Sequence, residues 1–319
     1  GWQLLKDKRE GERLLIFGED AKIYEEILTV RLPELKVMAA VNVGEAIPHI
    51  ERAEIILSWR MPDELLRRAG NLRWFASQAA GNEHLVNNSN LPPEATLTKT
   101  TIYGGMMREY LFSYLLYFAR EIPRYQQDQR EKVWSPARPG RLRGKVMGIL
   151  GLGAVGREIA RGARYFGMTV LGINRSFAPV EDVDEVFSAA DLHRMIPRLD
   201  YLVNVLPLTD ETRGILGEKE FLLLREGAVF VNMGRGKTID EEGLSRVLVR
   251  GNIRAVLDVF VTEPLAADSP LWDMDNVMIT PHVSGINIPE DICENFIENY
   301  GRWRQGERLH GLVDRALGY

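Results

Sequence analysis

Short apolar runs recur along the chain, separated by stretches whose apolar residues fall at helical spacing. In the first third the runs are residues 13–17, 36–41, 55–57 and 72–76, with helix-like segments at 21–32 and 63–69 between them. Alternation of this kind predicts a parallel sheet covered by helices. Residues 106–121 are mostly apolar and rich in aromatics, which predicts a buried helix at a domain junction. Pro123 and a charged run to Lys132 follow, and residues 134–144 are rich in Pro, Gly and Arg, so they read as a loop. Farther on, the pattern predicts strands at 201–206, 228–233, 256–259 and 277–280, with helices at 191–196 and 240–250. A final helix from Pro289 to about Trp303 follows the last strand and is expected to return to the first part of the chain. The fold class is α/β with doubly wound parallel sheets.

The stretch 146–176 has the most specific pattern. Val146-Met147-Gly148-Ile149-Leu150 is apolar without helical period, as a strand covered on both faces would be. Gly151-Leu152-Gly153-Ala154-Val155-Gly156 follows it directly, then a helix-like segment at 157–166 and a second apolar run at 168–173 ending in Asn174-Arg175-Ser176. A G-x-G-x-x-G string between strand and helix is the dinucleotide fingerprint. Its first glycine permits the tight turn, the second lets backbone approach a pyrophosphate, and the third lets helix pack on strand. The helix N-terminus then faces the phosphates.

Composition narrows the partners. The 319 residues can hold two medium domains, and the 45% hydrophobic and 27% charged content is that of an ordinary globular protein. A net charge of −5 offers no footprint for nucleic acid. No apolar run reaches the roughly 20 residues of a membrane span. One cysteine, Cys293, excludes an internal disulfide and suits a reducing compartment, so a cytoplasmic location is expected. Gly1-Trp2-Gln3 has neither an initiator Met nor a signal-peptide pattern and reads as a trimmed or artificial terminus.

Three polar residues stand at or just beyond the ends of predicted strands: Arg235, Glu263 (a little past Asp258) and His282. Ligands of doubly wound sheets bind outside the carboxyl ends of strands, so the three are expected to crowd one crevice. Arg235 would offer a two-pronged cation, His282 a group able to give or take a proton, and Glu263 a carboxylate to orient that imidazole. The plain alternatives are a surface charge in a Gly-Arg-Gly turn and a packed Pro-His loop. His49, His84, His193 and His310 have no comparable setting. In the first third, Gln78-Ala79-Ala80-Gly81-Asn82 ends a strand with small residues, where backbone amides could meet an anion; an ordinary turn is the alternative. Trp134 would either anchor a partner subunit or cap its own core.

Taken in order, Gly151 to Gly156, then Leu206-Pro207-Leu208-Thr209 with Thr212, Asn232-Met233-Gly234-Arg235-Gly236, Leu257-Asp258-Val259-Phe260 with Glu263-Pro264-Leu265, and Thr280-Pro281-His282 resemble the D-isomer-specific 2-hydroxyacid dehydrogenase family. Ser58-Trp59-Arg60-Met61-Pro62 and the end from Val313 to Tyr319 further resemble its glyoxylate/hydroxypyruvate reductase A branch. The resemblance implies a substrate domain of residues 1–100 plus 287–319, with a dinucleotide-binding domain of residues 101–286 inserted into it. It implies reduction of a small 2-ketoacid by hydride transfer from NAD(P)H. Arg235 then binds the substrate carboxylate and carbonyl, His282 is the acid/base and Glu263 its partner. Ala80 and Gly81 bind the substrate carboxylate, although Asn82-Glu83 departs from the family's Val-Asp. Arg60, in the first domain, would add a second cation facing the substrate, with a helix-cap or surface role as the alternative. Cofactor contacts fall on Gly151, Gly153, Ala154, Val155, Gly156, Asn174, Arg175, Ser176, Leu206, Pro207, Thr212, Met233, Gly234, Asp258, His282 and Gly285, with Asp258 at the nicotinamide amide. No metal is implied. Trp134 aligns with a dimer-loop tryptophan, which implies a homodimer.

An NAD site wants a carboxylate at the end of the second strand, for the ribose 2′-hydroxyl. This chain has Asn174, Arg175 and Ser176 there, which favours the 2′-phosphate of NADP, with NAD still possible. Two other readings stay open. One is a cofactor-sensing, corepressor-like binding protein. The other is a family enzyme for a bulkier ketoacid, whose pocket Trp59, Tyr103, Met106 and Met107 would line.

Overall fold

The structure, a computed structural model, describes residues 12–315. The Gly1-Trp2-Gln3 start and residues 316–319 of the family-like C-terminal segment lie outside the described residues. Two compact units divide the chain: residues up to 102 together with those from 287 onward, and residues 103–286.

In the first unit, β1 (Arg13–Phe17), β2 (Lys36–Ala40), β3 (Ile55–Ser58), β4 (Trp74–Ser77) and β5 (Thr96–Lys99) form a parallel sheet in the order β2-β1-β3-β4-β5. Helices α1 (Ala21–Arg31), α2 (Val43–Ile50), α3 (Asp63–Leu66) and α4 (Glu83–Val86) connect the strands. Because strand side chains alternate, the sheet feeds two cores. Leu15, Ile56, Phe75 and Leu97 face one, and Leu14, Ile16, Ile55, Leu57 and Trp74 the other. The C-terminal helix Pro289–Gln305 covers the second core with Ile292, Cys293, Phe296 and Tyr300, a stripe at helical spacing. Trp74 stacks on Phe296 with centroids 5.1 Å apart, and its indole N–H donates to Thr98 Oγ1 at 2.9 Å. Residues from both ends of the chain thus share one core, and each fully buried large side chain there contributes roughly 1.5–3 kcal/mol.

In the second unit, β6 (Val146–Leu150), β7 (Thr169–Ile173), β8 (Glu185–Phe187), β9 (Tyr201–Asn204), β10 (Val229–Asn232), β11 (Arg254–Leu257) and β12 (Val277–Ile279) form a second parallel sheet, ordered β12-β11-β10-β9-β6-β7-β8. The strand order reverses between β6 and β9, which is where doubly wound sheets open a ligand crevice. Its helices are α5 (Tyr103–Ala119), α6 (Ile122–Glu131), α7 (Ala154–Tyr165), α8 (Leu192–Met195), α9 (Glu218–Phe221) and α10 (Glu241–Leu248). Both sheets have the expected α/β architecture.

Several local expectations shift. The helix after the glycine turn starts at Ala154 rather than Arg157. The segment expected to be a buried helix, α5, buries one face only, through Tyr103, Met107, Leu111 and Leu115. The charged run after Pro123 is itself helical, as α6, with no buried residue. Among the described residues no helix is long and apolar enough to cross a membrane.

Candidate active site

The second unit's strand ends are tied together by backbone approaches that only glycine permits. After β6 the chain turns through Gly151 at φ +102°. A Cβ on Gly156 would sit 2.0 Å from the Gly151 carbonyl oxygen, so α7 can lie against the turn only with glycine there. A Cβ on Gly153 would meet no protein atom within 4 Å. The side it leaves open is the one above the α7 N-terminus, where the unpaired N–H groups of the first turn suit a phosphate. On the neighbouring strand, Asn204 ends β9. Its amide donates to Asn232 Oδ1 at 3.0 Å and Thr238 Oγ1 at 2.7 Å, and its oxygen accepts from the Leu206 N–H at 3.2 Å. Thr212 Oγ1 donates to the Pro207 carbonyl at 2.6 Å and closes that turn.

Arg235 leaves the end of β10 between two glycines. A Cβ on Gly236 would fall 1.9 Å from Phe260 backbone, and one on Gly234 would fall 2.8 Å from the Leu206 carbonyl oxygen. The Arg235 turn is therefore wedged between the loops that follow β9 and β11. Thr238 Oγ1 donates to the Arg235 carbonyl at 2.6 Å, which joins this turn to the Asn204 network.

His282 follows β12 and adopts φ +55°, a left-handed conformation uncommon for a residue with a side chain. Asp258, fully buried just past β11, holds it there. The Asp258 carbonyl accepts from the His282 N–H at 2.9 Å. The carboxylate accepts from Val283 N–H at 2.8 Å, Ser284 N–H at 2.9 Å and Thr280 Oγ1 at 2.6 Å. Glu263 places Oε1 on the Phe260 N–H at 3.0 Å and Oε2 against His282 Nδ1 at 2.8 Å. A carboxylate can only accept, so Nδ1 carries the proton and Nε2 is the atom presented to a ligand. The two side chains are 47% and 38% exposed, so a small molecule can reach the ring. Arg235, Glu263 and His282 therefore lie on consecutive strand ends of one sheet, and the last two are bonded. Asp258 has three of its roughly four acceptor positions engaged by the 280–284 strap.

At the end of β7, the Asn174 amide donates to Ser176 Oγ at 3.1 Å. Arg175 pairs with Glu211 at 2.7 Å, a carboxylate supplied by the turn after β9 and not by the end of β7. Both partners are largely exposed, and such a pair is worth about 0–1 kcal/mol, so a phosphate can displace it.

In the first unit, Arg60 lies beyond β3, beside the reversal between β1 and β3. Ser58 Oγ lies 2.9 Å from the Phe17 carbonyl and 2.8 Å from that of Arg60, and fixes this turn. The Arg60 guanidinium sits 5.6 Å from the Trp59 ring centroid. His84 Nε2 bonds the Trp59 carbonyl at 2.9 Å, a structural use. Ala80 and Gly81 follow β4 at the surface, and Asn82 beside them is buried with neither end of its amide hydrogen-bonded among the described residues. Met106 Sδ accepts from Ile286 N–H at 3.2 Å, and Tyr103 and Met107 lie against Gly285, so these three side chains support the strap. Trp134 is 97% exposed and does not cap its own chain's core. The Asp258 bonds, Tyr110, Asn204 and Glu211 were not singled out by sequence, because each depends on contacts far apart in the chain. No cluster of His, Cys, Asp and Glu among the described residues could hold a metal ion.

Residues 112–284 match the family model of the D-isomer specific 2-hydroxyacid dehydrogenase NAD binding domain. The chain belongs to that family. A glyoxylate/hydroxypyruvate reductase A from Serratia proteamaculans is 33% identical over 300 residues, covering 92% of this chain and 94% of that one. A D-isomer specific 2-hydroxyacid dehydrogenase from Xanthobacter autotrophicus Py2, solved with NADPH and MES, is 32% identical and covers 97% of this chain and 100% of its own, with a TM-score of 0.87. The NADPH-dependent glyoxylate/hydroxypyruvate reductase from Sinorhizobium meliloti, solved with NADP and sulfate, is 27% identical over the same shares, with a TM-score of 0.86. This dehydrogenase is thus an NAD(P)-dependent oxidoreductase of 2-ketoacids and 2-hydroxyacids, and its second unit is the NAD-binding part.

Proposed function

We propose that this enzyme uses NADPH, in preference to NADH, to reduce a small 2-ketoacid such as glyoxylate or hydroxypyruvate to the D-2-hydroxyacid. The observation that carries the reading is the Glu263–His282 bond, on the sheet whose strand ends also carry the glycine-flanked Arg235 and the glycine turn. The residues present suit the cofactor: Gly151 to Gly156 with the α7 N-terminus for the pyrophosphate, Leu206, Pro207 and Thr212 along its other side, and Arg175 with Ser176 for the 2′-phosphate.

Reduced nicotinamide, when bound, supplies the hydride. The rest is done by side chains. The Arg235 guanidinium takes the substrate carboxylate and polarises the ketone. Its charge lowers the energy of the oxygen as negative charge builds there. His282 Nε2 gives its proton to that oxygen, and Glu263 stabilises the ring while it is cationic. Ala80 and Gly81 add amide donors to the carboxylate, and Arg60 a second cation. The exposed Trp134 supports a homodimer, checked by the protein's mass in solution.

The test is a ketoacid panel read as loss of dihydronicotinamide absorbance, run with NADPH and with NADH. Arg175→Asp is expected to move the ratio of kcat/KM values toward NADH by about 10–100-fold, the worth of one charge-assisted hydrogen bond. An unchanged ratio overturns the cofactor assignment, and no turnover of any 2-ketoacid overturns the reaction.

A further inference from the structure

We infer that Tyr110, on α5, is a positioning residue for His282, acting through Thr280 and Asp258. The inference rests on the reading of His282 as the proton donor. Tyr110 Oη lies 2.6 Å from Thr280 Oγ1, which in turn lies 2.6 Å from Asp258 Oδ1. Thr280 has one hydroxyl proton, and the carboxylate, able only to accept, takes it. The phenol must therefore donate to Thr280. The chain of donors runs one way, from α5 into an enclosed carboxylate.

That carboxylate is fully buried. Among the described residues the donors aimed at it are Thr280 Oγ1 and the Val283 and Ser284 amides, and a buried charge depends on such donors. The same three bonds, with the His282 N–H on the Asp258 carbonyl, fix the strap in which His282 holds its left-handed backbone. Thr280 is the one donor of the three that can rotate away. With its oxygen accepting from Tyr110, the hydroxyl is held in the rotamer that serves Asp258. Tyr110 suits the task. Burial above all, then the nearby Asp258 charge, pushes the phenol above its ordinary range, so the O–H remains a donor throughout the working pH range. Its ring packs 4.9 Å from that of Tyr114, so a phenylalanine would keep its place.

Tyr110→Phe and Thr280→Val, singly and together, test this in the full-length enzyme. Each single variant is expected to lower kcat about fivefold, the worth of one net hydrogen bond, with both KM values within about twofold. The double variant is expected to fall no further than either single one, because one chain is broken twice. Thr280→Ser, which keeps the hydroxyl, is expected to restore wild-type kcat. Without any ligand, the His282 ring resonances in NMR are expected to move in Tyr110→Phe and Thr280→Val and to stay in Thr280→Ser. Unchanged kcat with unmoved His282 resonances in Tyr110→Phe overturns the inference, and so do additive losses. If instead His282→Ala kept its turnover, the proton-donor reading would fail, while the ring resonances would still report whether Tyr110 positions that side chain.

Discussion

At the strand ends of the second unit, buried polar side chains are paired almost completely. Asn204 makes three bonds and Asp258 accepts three at its carboxylate. Among the described residues there, only Asn232 Nδ2 has no partner. The equivalent ends in the first unit are looser. Asn82 leaves both ends of its amide unpaired, and the buried Thr100 leaves its hydroxyl so. Each such group costs about 1–3 kcal/mol to bury. The difference fits the proposed function, in which the second unit supplies the proton donor and the first meets the substrate. A proton donor must be held in one geometry, which a satisfied network supplies. In that reading, substrate recognition near Ala80 and Gly81 would draw on bonding capacity not already used within the fold.

The largest expected effect falls on the tightly held side. His282→Ala is expected to lower kcat by about 10²–10⁴-fold, as removal of a general acid does. The ring is half exposed, so the melting temperature is expected to stay nearly unchanged. Steady-state rates with NADPH at neutral pH decide it, and near-wild-type turnover would remove His282 from the mechanism.

What sequence revealed follows the same division. The glycine turn was legible because its requirements are local: a strand, three glycines and a helix within one short stretch. Arg235, Glu263 and His282 were legible through motif order and their place at strand ends. The edge strands β5 and β8 were not, since Thr96-Leu97-Thr98-Lys99 and Glu185-Val186-Phe187 are short and half polar. Helix α6 was missed because it buries nothing and leaves no apolar stripe. Asp258 could be seen as a motif residue, but its grip on the strap could not. The Tyr110–Thr280 bond joins positions 170 apart, and no periodicity encodes such a pair.

A matched pair of substitutions puts the two regions in direct opposition. Asn204→Val would remove the acceptor of the Leu206 N–H and one donor each from Asn232 Oδ1 and Thr238 Oγ1, and is expected to cost about 2–3 kcal/mol. Asn82→Val makes the same exchange where no bond is lost, and is expected to gain about 1 kcal/mol. Urea unfolding midpoints measure both. Equal losses at the two sites would abolish the contrast between a satisfied and an unsatisfied strand end.

At neutral pH the least visible effect concerns how the first unit keeps an ionisable group buried without a bonding network. Cys293 lies on the buried face of the C-terminal helix, and burial first, then Glu290 and Glu294, pushes its thiol up to about 12. An unfolded thiol titrates near 8.5, so the folded state holds its proton over a range where the unfolded chain releases it. The contribution to stability is therefore complete below about pH 8.5. It is lost as pH rises toward the folded value, by up to about 1.4 kcal/mol per pH unit. At pH 8 the thiolate fraction should be about 10³-fold below that of an unfolded cysteine, and labelling by a thiol reagent slower by at least that factor. Cys293→Ala is expected to flatten the alkaline limb of the stability curve. Labelling of the native protein at the rate of a denatured control would show that the thiol is not enclosed on this face of the helix.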